Sequence, residues 1–225
     1  MKQQRTLRPF WILLAVMAGA AALFVLLMSV GVFKSYRYDG DEGTVGGGTV
    51  EGIVREIEID WLVGPIRIEI SEDDRFLSVS EYCSETLGEA EELRRGLDEN
   101  GKLTVHARAS SELLFQTQKT KLLVIRIPAD MAASIERLSV RVREGAASVE
   151  LSLLPNEVSF EIDRGGEFKL TVPTDAGFVL NCEGLGSAPV GAELVERDGA
   201  YVRLDGGARI TVKGSGKTEL TVYGK

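Results

Sequence analysis

Gly214-Ser215-Gly216-Lys217-Thr218 carries the closing residues of a phosphate-cradling loop, G-x4-G-K-[ST]. The opening glycine of that pattern would fall at position 211, which is Thr211. A helix must also follow, so that its N-terminal N–H groups can hold phosphate. Only seven residues remain after Thr218, and they alternate as a strand does. The segment therefore reads as a hairpin turn, and no nucleotide is expected. Gly184-Leu185-Gly186-Ser187-Ala188-Pro189 fails in the same way as a dinucleotide fingerprint. Its third glycine position holds Pro189, and two glycines of a turn remain.

His106 is the only histidine. In the alternating run Leu103-Thr104-Val105-His106-Ala107-Arg108 it shares the polar face with Thr104 and Arg108, as a solvated strand residue does. One histidine excludes His-rich zinc sites and argues against a hydrolase triad. The acidic runs Glu72-Asp73-Asp74 and Glu89 to Glu92 lack the spacing of a calcium loop, and Glu72 to Asp74 reads as a charged turn. No pair of carboxylates is singled out for glycoside hydrolysis. Cys83 and Cys182 form no CxxC; outside the cytoplasm they could pair, and otherwise they are two small apolar thiols. No residue is assigned a catalytic, cofactor-binding or metal-binding role, and no cofactor is expected.

The elements that would carry these residues fall into four segments. Residues 1–9 form a basic tail expected in the cytoplasm. Residues 10–33 contain no charge over 24 positions. At 1.5 Å per residue a helix there spans about 36 Å, enough for a ~30 Å hydrocarbon core. Phe10 and Trp11 at one end and Phe33, Tyr36 and Tyr38 at the other suit the two interfaces. The run is longer than a signal-peptide core and has no A-x-A exit, so an uncleaved single-pass anchor is expected. Lys2, Arg5 and Arg8 before it, against Lys34 and Arg37 after it, place the N-terminus inside and the remainder outside by one side-chain charge. Residues 34–51 are a Gly-rich polar stretch, read as a flexible linker.

Residues 52–225 turn to period two. Ile57, Ile59 and Trp61 alternate with Glu56, Glu58 and Asp60; Ile66, Ile68 and Ile70 alternate with Arg67 and Glu69. Further strands are expected at 76–82, 103–107, 123–127, 138–142, 149–153, 158–162, 168–172, 178–180, 201–204, 210–212 and 220–222. From Leu123 on they recur about every ten residues, with Gly, Pro, Asn or Asp between most of them. Such short, evenly spaced strands make an all-β sandwich, barrel or solenoid, the last stacking each coil on the one before it. Leu87, Ala90, Leu93 and Leu97 lie at helical spacing within residues 84–101, read as a short surface helix or a polar loop. The whole chain carries −8 and residues 1–37 carry +5, which leaves −13 on residues 38–225. A domain so acidic repels phosphate backbones, so no nucleic acid is expected.

The strand Ile57-Glu58-Ile59-Asp60-Trp61, with Gly64 and Ile66-Arg67-Ile68 after it, resembles the putative-adhesin family of bacterial cell-envelope domains. The resemblance continues through Lys121-Leu122-Leu123-Val124-Ile125-Arg126-Ile127-Pro128 and Ile135 to Val140, and covers residues 52–224. The family's Ser-Gly-Asp turns are replaced by Glu144-Gly145-Ala146 and Arg164-Gly165-Gly166. The resemblance implies a solenoid-like β fold at the cell surface and supplies no catalytic residues. The expected function is a membrane-anchored, non-enzymatic module that binds an envelope protein or wall component. The alternative is a regulatory subunit of an envelope-stress sensor, packed on a membrane partner through Ala15, Ala18, Gly19 and Ala22.

Overall fold

The computed structural model describes residues 36–38, 47–83, 87, 91–108, 120–143, 147–191 and 193–225. The expected cytoplasmic tail and membrane helix lie outside them. Among the described residues no helix is long and apolar enough to cross a membrane.

In chain order the first elements are β1 (Tyr36–Tyr38), β2 (Gly48–Val50), β3 (Glu56–Trp61), β4 (Ile66–Ser71) and β5 (Leu77–Cys83). A hairpin of β6 (Arg94–Leu97) and β7 (Lys102–His106) precedes β8 (Lys121–Pro128) and the short α1 (Ala129–Ala132). Then come β9 (Arg137–Val142), β10 (Ala147–Leu151), β11 (Glu157–Ile162), β12 (Glu167–Val172), β13 (Phe178–Glu183) and β14 (Val190–Gly191). The last are β15 (Val195–Arg197), β16 (Ala200–Arg203), β17 (Ala208–Lys213) and β18 (Glu219–Gly224).

These strands form two sheets. Sheet A runs β1-β5-β8-β4-β10-β12-β18-β14, with β2 also on β5; sheet B runs β15-β16-β13-β17-β11-β9-β3-β7-β6. Period two decides which side chains lie between them. In β3, Ile57, Ile59 and Trp61 are buried, and the same alternation recurs in β9, β11 and β12. Parallel in-register pairing lines the buried residues into rows. One row in sheet B is Leu103, Ile57, Leu138, Val158, Ile210 and Leu180; the next is Val105, Ile59, Val140, Phe160, Val212 and Cys182. Sheet A answers with Leu123, Ile66, Val149, Leu170 and Val222.

Six times a sheet B strand is followed in the chain by a sheet A strand, and each such pair makes one rung of a solenoid. The rungs lie in the order β7/β8, β3/β4, β9/β10, β11/β12, β17/β18, β13/β14. The expectation that each coil covers the last is therefore corrected at both ends. After β1 and β2, which pair with β5, the chain lays down the second rung, doubles back to build the first, and inserts β17/β18 between two rungs laid down earlier. At the ends pairing turns antiparallel: β5 on β8, β6 on β7 and the hairpin β16-β15 on β13.

Two further expectations change. Residues 84–101 were expected as helix or loop, but Arg94–Leu97 is a strand. The Oδ1 of Asp98 accepts the N–H groups of Asn100 (2.9 Å) and Lys102 (2.8 Å), fixing a tight turn that folds Gly96 against Thr104. The linker at 34–51 is structured where it is described. Tyr36–Tyr38 and Gly48–Val50 both pair with β5, and Val50 is buried, so sheet A begins inside the Gly-rich stretch.

Candidate functional site

The phosphate-loop look-alike at 214–218 joins β17 in sheet B to β18 in sheet A, so it is a corner between sheets rather than a hairpin. Corners stack as the strands do. Gly214 N–H donates to the Glu183 carbonyl (2.8 Å), Gly216 N–H to Gly184, and Gly186 N–H to Thr218 (3.0 Å). The GxG at 184–186 is the neighbouring corner. A Cβ on Gly184, whose φ is +66°, would press into the Gly214 carbonyl, so glycine there serves close approach of two backbones. Thr218 is fully buried, and its Oγ1 accepts the Ser215 N–H at 3.3 Å. The N–H groups of Gly214 and Gly216 are turned to the next corner and that of Ser215 to its own loop, not gathered around an anion.

His106 stands on the outer face of sheet B, half exposed, with Nδ1 3.6 Å from Asp60. Glu72, Asp73 and Asp74 are spread along the β4–β5 turn, where Asp74 N–H donates to Ser71 Oγ (3.3 Å). Among the described residues no three His, Cys, Asp or Glu side chains converge as a metal site would require. Cys83 and Cys182 are both free thiols, one in sheet A and one in sheet B. Burial pushes the Cys182 thiol up to about 11.

A buried ion pair lies at the first end of the core. Lys121 Nζ is 3.0 Å from Glu81 Oε2, with both side chains at 5% exposure or less. Lys121 also donates to the Glu91 carbonyl, and Leu93 N–H to Glu81 Oε1 at 2.7 Å. Burial, outweighing these partners, holds the Glu81 carboxyl above the usual range.

The outer face of sheet B holds an ordered set of polar side chains. Register sets them in three rows along the stack. One flank reads Lys102, Glu56, Arg137, Glu157, Arg209; the other reads His106, Asp60, Arg141, Glu161, Lys213, Glu183. Charge alternates in sign from strand to strand. Arg137 donates to Glu56 (2.6 Å) and Glu157 (3.0 Å), Arg141 to Asp163 (2.9 Å), and Lys213 lies 3.3 Å from Glu183. Between the flanks run Thr104, Glu58, Ser139, Ser159, Thr211 and Asn181, half-buried where their flanking neighbours are mostly exposed. From β9 to β13 the result is a shallow trough with a hydroxyl and amide floor, its cavity lined by Arg137, Glu157, Ser159, Arg209 and Thr211. No motif in the sequence marks it. The signal, a sign change between positions on different strands, becomes legible only once register is known.

No protein-family model matches the chain, and no curated protein matches it. Among solved structures, the fold is similar to that of a putative cell adhesion protein from Clostridium sporogenes, with a TM-score of 0.53 at 12% identity, over 86% of this chain and 100% of that one. The chain has the putative-adhesin fold. A putative adhesin from Parabacteroides distasonis is similar over 71% of this chain and 65% of its own, at 11% identity and a TM-score of 0.40.

Proposed function

We propose that this protein is a single-pass membrane protein whose β domain, outside the cytoplasm, binds an envelope component without catalysing a reaction. The observation that carries the proposal is the outer face of sheet B, an ordered polar surface of three side-chain rows across five rungs or more. A domain built to display one broad face suits holding a partner better than transforming a substrate, which needs an enclosed site with convergent groups. The uncharged run at 10–33 supports the anchor, and the margin of basic residues supports the orientation.

Binding is tested by passing cell-envelope extract over the full chain held in detergent micelles; specific retention is expected, and an empty eluate would remove the proposal. Orientation is tested by protease shaving of intact cells, because Cys83 is buried and Cys182 is a poor thiol probe. Loss of the β domain is expected, whereas a fully protected domain would reverse the topology.

A further inference from the structure

We infer that the trough on sheet B is a binding site for a linear polysaccharide, lying along the stack with Arg209 as its anchor. The inference rests on the envelope-binding reading and names the class of ligand.

The floor of Ser139, Ser159, Thr211 and Asn181 crosses β9, β11, β17 and β13, about 14–15 Å at the spacing of neighbouring strands. An extended chain can lie along it, crossing one strand after another. The composition of the surface then selects the chemistry. The rows hold no aromatic side chain and are dominated by charge, unlike the apolar, aromatic centre of a protein interface. The −13 charge on residues 38–225 repels nucleic acid. What suits walls of alternating Arg donors and Glu acceptors is a ligand whose groups both donate and accept without carrying much charge. Hydroxyl groups do so, and a polysaccharide presents them at short intervals. The floor adds hydroxyls of its own; Ser159 Oγ donates to Ser139 Oγ at 3.1 Å, while Thr211 stands beyond that pair.

Arg209 sets the anchor. Its cross-strand neighbour Glu157 is already held by Arg137 at 3.0 Å, and Arg209 makes no ion pair among the described residues. Exposed Arg209 lines the cavity of the trough beside Thr211. A planar fork of donors there can take two ligand oxygens at once, from adjacent hydroxyls or from a sugar carboxylate.

The test measures binding of fluorescein-labelled glycan strands, prepared from bacterial wall and freed of peptide, to the full chain in detergent micelles. Fluorescence anisotropy is read for wild type, Ser159→Tyr, Arg209→Gln and Lys169→Gln, the last on the outer face of sheet A. Far-UV circular dichroism checks that each variant is folded. Wild type and Lys169→Gln are expected to bind alike, with Ser159→Tyr and Arg209→Gln at least tenfold weaker. Should Ser159→Tyr fail to fold, Arg209→Gln decides alone, since its side chain is exposed. Absence of wild-type binding, equal binding by Arg209→Gln, or an equal loss in Lys169→Gln would overturn the inference. Retention of envelope material by a chain with no affinity for the glycan strands would overturn it too, while leaving the broader function standing.

Discussion

Glu81 and Lys121 show what a single buried pair does to an otherwise apolar core. Each has left water, and their mutual attraction does not fully offset the loss, which is why burial dominates the raised pKa of Glu81. The sign follows. A carboxyl whose folded pKa is raised contributes most below its unfolded value near 4.5, and that contribution is lost as pH rises through the folded value. Replacing one partner strands the other: Lys121→Met is expected to cost about 3–5 kcal/mol in urea denaturation. The double variant Glu81→Leu with Lys121→Met is expected to match or exceed wild type at pH 7, and to lose that advantage as pH falls towards 4. Cys182 titrates in a different range. With its thiol near 11 rather than 9, stability is retained below pH 9 and falls between 9 and 11 as folding comes to oppose thiolate formation. At pH 8 its reaction with a maleimide should be slower than that of an unfolded control by well over tenfold.

At the scale of elements, β17 shows how charge chooses a neighbour. Arg209 and Lys213 face Glu157 and Glu161 on one side, and Lys213 faces Glu183 on the other. Were β11 to pair directly with β13 in the same register, Glu161 would oppose Glu183. Reversing both cations, Arg209→Glu with Lys213→Glu, should cost about 1–2 kcal/mol by thermal denaturation, and less in high salt. A cost unchanged by salt would show that packing alone sets the strand order. This pairing was hidden in the sequence, although the strands themselves were not. Period two in residues 57–61, 138–142 and 158–162 is a local signal, and those strands form where the alternation places them. The order of rungs is decided between residues tens of positions apart, which no local period displays. The corner at Gly214 to Thr218 reads as a hairpin for a related reason: a turn within one sheet and a corner between two make the same demand for small residues. Leu93 and Leu97 gave a helical spacing because they are four apart, but the Asp98 turn brings Arg94–Leu97 against β7 instead. The trough itself had no signature, being built from Ser, Thr and Asn that look ordinary until they align.

The whole molecule depends on its last rung. Ile210, Val212, Leu220 and Val222 are buried there, and burial of four such side chains contributes about 6–12 kcal/mol, comparable with the entire stability of a domain. Deleting residues 205–225 should therefore abolish the cooperative unfolding transition seen by circular dichroism, whereas a terminal coil of a sequential solenoid could be peeled away with the rest left folded. A truncated chain that kept the transition would show that β13/β14 can close directly on β11/β12. The inserted rung also has a consequence for synthesis. Residues 205–225 leave the ribosome after every other strand of the stack, so the stack cannot close before they emerge. A product terminated before them would display open strand edges to the cell's proteases, and only a chain translated through β18 would conceal them.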